Sequence, residues 1–212
     1  RAAASIVDSL LVTPYAWRSV PAPPPFEAEV AAAIAAATGN AAGFDFEAWA
    51  LRVFAHQFAH NAPYRALCER RGITPHTVAR WDDVPPVPSA AFRRVDLACG
   101  PAEAVFRSSG TTDPETRARH LVPHLALYRT AALAAFARFV LPDGFRLPLL
   151  LLVPSPVLRP DSSLVQMCVW VGEALATGVE WFVGADGLHI ERLLVRLADA
   201  EARGEAVLLA GV

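Results

Sequence analysis

The sequence predicts an α/β fold, in which a helical N-terminal region precedes alternating strands and helices that form a layered, mainly parallel sheet. In the first half of the chain, apolar residues recur at helical spacing. In the second half, short apolar runs alternate with helical segments, a pattern that favours parallel strands joined by crossover helices. Hydrophobic residues make up 54% of the 212 residues, which is enough to supply a packed core.

Three helices are predicted in the first half, and each is bounded by a residue that starts or stops a helix. Asp45 is placed to cap the second helix, and glycines end the first and the third. An extended connector with four prolines follows them. In chain order these elements are Glu27–Thr38, Phe46–His60, Pro63–Arg71 and the connector Pro75–Pro88.

The second half is predicted to begin with a hairpin around a polar loop. Leu149–Val153 is a continuous apolar run, which is typical of a strand buried on both faces. The helix after it has Ser162 or Ser163 as its N-cap. The hairpin strands are Ala104–Phe106 and Arg119–Val122, the later strands are Val179–Val183 and Ala206–Ala210, and the helices are His124–Val140, Ser162–Ala176 and Gly187–Arg203.

Composition argues against several classes of protein. The net charge is −2 and no basic stripe is present, so a dedicated nucleic-acid binder is not expected. The longest apolar run, 147–158, is interrupted by three prolines and is too short for a membrane span, and no signal peptide is readable. Cys68, Cys99 and Cys168 form no Cys-x-x-Cys pair, and we therefore expect a reduced, cytoplasmic location.

The most informative stretch is residues 107–120, where four small hydroxyl residues flank a glycine and basic residues follow. Hydroxyl donors, unhindered backbone N–H groups and nearby positive charge are what a polyphosphate needs, because its oxygens only accept hydrogen bonds. A solvated turn between two strands is the alternative interpretation. The hydroxyl residues are Ser108, Ser109, Thr111 and Thr112, the glycine is Gly110, and the basic residues are Arg117, Arg119 and His120.

The segment Ser108–Thr112 resembles the phosphate-binding loop of adenylate-forming enzymes. Within that superfamily, the chain is most similar to the acyl-protein synthetases of bacterial luminescence operons, the LuxE family. Further segments resemble that family in the same order along the chain. They are His56-Gln57 through Asn61–Arg65, Asp83–Pro88 with Phe92-Arg93, Asp161–Leu164 with Met167, and Ala206–Gly211.

Two positions depart from the family's loop. Asp113 stands where the family has a glycine, and the lysine after the proline is absent. Asp113 would either repel the phosphates or hold Mg²⁺. Arg117 is the expected replacement for the lysine, with Arg119 as second choice, although an arginine fork needs different geometry.

The resemblance implies ATP-dependent activation of a carboxylic acid, expected to be a fatty acid, as an acyl-adenylate, followed by transfer to a protein thiol. Ser108, Ser109, Gly110, Thr111, Thr112 and Arg117 would cradle the polyphosphate, and Mg²⁺ would bridge the phosphates. Its partners would be the acid and an acyl-accepting protein or reductase. Two alternatives stay open, an acyl- or aryl-CoA ligase and a degenerate, non-catalytic binding or scaffold subunit.

The resemblance also suggests how the chain is organised. Residues 1–45 would be an N-terminal segment with a proline-rich linker, and residues 46–212 an incomplete large domain of an adenylate-forming enzyme. The family's C-terminal lid, its acyl-accepting cysteine and its nucleoside contacts would lie beyond Val212. We therefore expect the isolated chain to bind ATP weakly and to catalyse little.

Three other patterns have simpler interpretations. His56 and His60 have the spacing of a zinc-binding His-Glu-x-x-His helix, but Gln57 replaces the glutamate and no third ligand is evident, which favours a role on the helix face. Ser162 at a helix N-terminus suits either an anion or simple capping. Cys99 is expected to be exposed in a loop, whereas the other two cysteines are expected to be inert core residues.

Overall fold

The computed structural model describes residues 24–39, 43–108 and 117–211. Most of the predicted N-terminal segment, residues 1–23 and 40–42, therefore lies outside the described residues. The helices are α1 (Pro25–Gly39), α2 (Phe46–His60), α3 (Ala62–Glu69), α4 (Leu125–Phe139), α5 (Ser163–Leu175) and α6 (Ile190–Arg203). The strands are β1 (Ala104–Arg107), β2 (Arg119–Val122), β3 (Pro148–Pro154), β4 (Gly178–Gly184), β5 (Gly187–Leu188) and β6 (Leu208–Gly211).

The fold is mixed α/β, and its sheets contain both parallel and antiparallel pairs. A four-stranded sheet has the order β5-β4-β3-β6, in which β3 pairs in parallel with β4 and β6, and β5 is antiparallel to β4. Strands β1 and β2 form a separate antiparallel hairpin, as the sequence predicts. The prediction of a mainly parallel sheet therefore holds only for the centre of the larger sheet.

Strand β3 is the core of the molecule and is covered on both faces. Leu149, Leu150 and Leu151 are each at most 2% exposed. Because successive strand residues point to opposite faces, Leu149 and Leu151 pack toward α5, whereas Leu150 packs with Phe182 and α6. Each buried leucine contributes about 1.5–3 kcal/mol through the apolar area removed from water.

Helix α5 lies unusually close to strand β4 at Gly172. A Cβ atom added there would lie 2.2 Å from Cγ2 of Val179, which is closer than real atoms approach. Any larger residue would force Val179 or the helix to shift, so glycine suits this contact although it lowers the intrinsic helix propensity of α5.

The last predicted helix begins later than expected. Gly187–Leu188 forms β5, which pairs with the end of β4, and α6 starts only at Ile190. The cause is a tight turn in which Gly187 has φ of +110°, a conformation that a helix cannot contain and that glycine adopts without strain. The prediction that this helix begins at Gly187 was therefore wrong.

The N-terminal helices form a second, smaller core. Phe54, Tyr64 and Cys68 from α2 and α3 are buried together. Asp45 caps α2 by accepting from the Ala48 N–H, as predicted, and the Tyr64 hydroxyl donates to the Pro85 carbonyl at 2.9 Å. This last bond ties the proline-rich connector to the helices. No helix in the described parts of the chain is long and apolar enough to cross a membrane.

Candidate phosphate-binding loop

The predicted polyphosphate cradle connects the two strands of the β1–β2 hairpin. Ser108 and Arg117 are described, whereas Ser109, Gly110, Thr111, Thr112 and Asp113 lie outside the described residues. At the base of the loop, the Ser108 N–H donates to the Ala118 carbonyl, and the Ala118 N–H donates to Ser108 Oγ, both at 3.0 Å. These two bonds join the two sides of the hairpin at the base of the loop.

Arg117 closes the loop base and connects it to the larger sheet. Its Nε donates to the Ser108 carbonyl at 2.6 Å, and its Nη1 lies 2.9 Å from Oδ2 of Asp161. The side chain is 22% exposed, so the pair is only partly open to water. The Arg107 N–H also donates to the Asp161 carbonyl at 2.8 Å. Both ends of the loop are therefore held by Asp161.

Asp161 lies between the carboxyl end of β3 and the start of α5. Ser162 caps this helix by accepting from the Val165 N–H, so the prediction of an N-cap here is confirmed. The amino end of a helix carries partial positive charge, and clefts at the carboxyl ends of parallel strands are where α/β proteins commonly bind ligands. The loop base therefore lies beside the partly positive amino end of α5, which favours a bound anion.

The second-choice cation, Arg119, has a different position. It begins β2 and forms an ion pair with Asp96, and both side chains are about half exposed. The next residue, His120, stacks on Phe92 with ring centroids 5.0 Å apart. The segment before β1 therefore packs on the strand that leaves the loop.

A cluster of histidines and glutamates joins α1, α2 and the start of α4. Glu27 Oε1 lies 3.4 Å from Nε2 of His56 and 3.9 Å from Nε2 of His124. Burial lowers the pKa of His56, and the neighbouring His60 and His124 lower it further, while Glu27 opposes them. Within the described ranges, no group of three or more His, Cys, Asp or Glu residues is placed to hold a metal ion.

The cysteines occupy buried or half-buried positions. Cys68 and Cys168 are buried, as predicted, and burial raises the pKa of Cys168 to about 11. Cys99 is half-buried rather than exposed in a loop, and its thiol donates to Gln57 Oε1 at 3.3 Å. Burial also raises the pKa of Cys99, because it disfavours the thiolate. The expectation of an exposed Cys99 was wrong because its loop packs against α2.

Sequence reasoning missed a large apolar cavity between α1, α2 and the segment that precedes β1. Its volume is about 850 Å³, and aromatic side chains make up much of its wall. A smaller cavity of about 340 Å³ adjoins it and shares Val30, Val53 and Leu97 as lining residues. The aromatic residues of the larger cavity include Phe46, Trp49, Trp81 and Phe92. Aromatic residues at helical spacing are equally typical of a packed core, so their pattern alone does not indicate a cavity.

Comparison of the chain with protein-family models, with curated proteins and with solved structures gives no match in any of the three.

Proposed function

We propose that this chain binds the polyphosphate of ATP and takes part in activating a carboxylic acid as an acyl-adenylate, with later transfer of the acyl group to a protein thiol. The observation that carries the proposal is the loop base, where Ser108 and Arg117 are held against Asp161 beside the amino end of α5. A helix terminus favours anions, so a loop of hydroxyl residues and glycine that begins at this base suits a polyphosphate.

The chemistry requires two displacements. A carboxylate oxygen of the acid forms a bond to the α-phosphorus of ATP, and the bond from that phosphorus to the pyrophosphate oxygen breaks. A thiol then attacks the acyl carbonyl, AMP leaves with the bonding electrons, and the thiol proton passes to solvent or a base. The loop residues contribute by holding the phosphates in line and by donating hydrogen bonds to the departing charge.

Mg²⁺ fits this proposal as an ion carried by the phosphates. The Asp161 carboxylate is already paired with Arg117 and contacts Arg159 at 3.4 Å. In such sites Mg²⁺ is commonly held by substrate phosphates, one or two carboxylates and water. Mg²⁺ would neutralise charge on the phosphate oxygens.

Acid-dependent exchange of labelled pyrophosphate into ATP tests the proposal. The assay is run on the 212-residue chain and on any longer natural form of it, across a panel of carboxylic acids. We expect exchange that depends on the acid and is lost in Thr111→Ala. Products formed with and without CoA then separate transfer to a protein thiol from CoA ligation. Little exchange is expected from the 212-residue chain itself, and a well-folded longer form that gives no exchange with any acid would contradict adenylation.

A non-catalytic binding or scaffold role is the second candidate, and one observation favours it. Arg117 and Arg119, the two cations expected to replace the missing lysine, are paired with Asp161 and Asp96. Thermal protection by ATP, measured in the wild type and in Asp113→Gly, separates the two functions. Thermal protection by ATP that appears only in Asp113→Gly would indicate that the wild-type loop no longer binds nucleotide.

A further inference from the structure

The large cavity has a wall that offers a ligand mainly apolar contact. The polar groups of Tyr64, Asn61 and Asp82 in this wall are already hydrogen-bonded within the protein. The Tyr64 hydroxyl donates to Pro85, and the Asn61 amide contacts Gln57 at 3.4 Å. Asp82, at the edge of the cavity, accepts two hydrogen bonds from Arg80. What remains for a ligand is aromatic and aliphatic surface, and such surface binds hydrocarbon by removing it from water.

The cavity also reaches the strand that leaves the candidate loop. Phe92 lines the cavity and stacks on His120, which is the second residue of β2. Leu97 lines it too, next to the Asp96 that pairs with Arg119. One wall of the cavity therefore packs against the first residues of β2, where the chain leaves the loop.

We propose that this cavity binds the hydrocarbon part of the acid, with the carboxylate emerging at the Phe92 end toward the loop. The inference rests on the proposed function for the identity of the ligand as an acid. The volume of about 850 Å³ is near the upper end of the range for small-molecule sites, about 300–1,000 Å³, and is far more than acetate or a single ring requires. The ligand class is therefore a carboxylic acid with a long hydrocarbon chain.

Two alanines line the cavity from two different helices. Ala50 lies on α2 and Ala33 on α1, and both line the cavity. Phenylalanine at either position would project a ring into the space that a chain occupies. The same two helices provide matched controls, because Ala59 on α2 and Ala36 on α1 are exposed and do not line it.

Displacement of 1-anilinonaphthalene-8-sulfonate by fatty acids, measured without ATP, tests the inference. We expect octanoate, decanoate and dodecanoate to displace the dye with affinity rising about threefold to fourfold per methylene, while acetate has no effect. Ala50→Phe and Ala33→Phe should each weaken dodecanoate binding at least about tenfold, whereas Ala59→Phe and Ala36→Phe should leave it within about twofold. Circular dichroism checks that each variant folds, and variants on two helices are used so that one misfolded protein does not decide the outcome.

Two results would overturn the inference: affinity that does not depend on chain length, or dodecanoate binding that is unchanged in both folded lining variants. Its failure can be told from failure of the proposed function. If acid-dependent exchange is unchanged in Ala50→Phe, the protein catalyses adenylation but the cavity does not bind the acid. If binding depends on chain length and is blocked by Ala50→Phe, but no acid supports exchange, the cavity is a ligand site and the adenylation proposal is wrong.

Discussion

The Arg117 guanidinium lies 2.9 Å from the Asp161 carboxylate and joins the β1–β2 hairpin to the turn between β3 and α5. The same guanidinium donates to the Ser108 carbonyl on the opposite side of the loop base. One side chain therefore fixes both the width of the loop base and its position against the larger sheet. The proposed polyphosphate site depends on this contact, because transfer at phosphorus tolerates little misplacement of the groups that hold the phosphates of ATP.

Replacing Arg117 should impair exchange more than it impairs folding. In Arg117→Gln, we expect acid-dependent pyrophosphate exchange to fall at least about tenfold, because the loop loses its anchor and one positive charge. The loss of unfolding free energy should be only about 1 kcal/mol, since the pair is partly exposed to solvent. Exchange kinetics and urea denaturation measure the two effects. Arg203→Gln, which removes an exposed pair with Asp199, is the control, and wild-type exchange in Arg117→Gln would contradict the assigned role.

Asp113→Gly should strengthen nucleotide binding if the loop holds phosphates. A carboxylate about 4 Å from a phosphate charge costs roughly 4 kcal/mol at an effective dielectric of 20, and substitution by glycine removes that repulsion. We expect the Michaelis constant for ATP to fall at least about tenfold with the turnover number little changed, less than the full repulsion would give because water and salt screen it. A rise in that constant would instead indicate that Asp113 holds Mg²⁺, and it should then be partly reversed by excess Mg²⁺.

Gly172→Ala should destabilise the fold although alanine is the better helix former. The added methyl would lie 2.2 Å from Cγ2 of Val179, and overpacking of this kind costs about 1–3 kcal/mol. The gain in helix propensity, about 1 kcal/mol, offsets only part of that cost. Thermal unfolding measures the loss of stability, and adding Val179→Ala to Gly172→Ala should restore part of the lost stability. Gly178→Ala, where an added Cβ meets nothing within 4 Å, should have little effect; an equal loss there would refute the packing explanation.

The order of the elements could be predicted from the sequence because each one has a local cause. Asp45 and Ser162 accept from backbone N–H groups one turn into their helices, and the apolar run in β3 is buried on both faces. The start of α6 could not be predicted, because Gly187 serves a turn that exists only when β5 pairs with β4. Local helix signals do not include such tertiary pairing.

The candidate site shows the same division. The hydroxyl–glycine loop was visible in the sequence because its chemistry lies in consecutive residues. The ion pair that anchors the loop was not visible in the sequence, because Arg117 and Asp161 are 44 residues apart and meet only after β3 and α5 have formed. The cavity was also hidden, since Trp49 and Phe92 look like core residues until the spacing between α2 and the segment before β1 is known.

The stability of the N-terminal helices should depend on pH through His56. Burial lowers the pKa of His56 below its ordinary value of 6.5, so the folded protein resists protonation that the unfolded chain accepts. The unfolded state therefore binds more protons below pH 6.5, and the stabilisation present above that pH is lost as the pH falls toward the lowered pKa. Thermal unfolding across this range should show a midpoint that decreases on acidification, with a smaller decrease in His56→Gln. His76→Gln, which changes an exposed histidine, should follow the wild type; a wild-type midpoint that rises on acidification would mean that Glu27 dominates and holds the imidazolium.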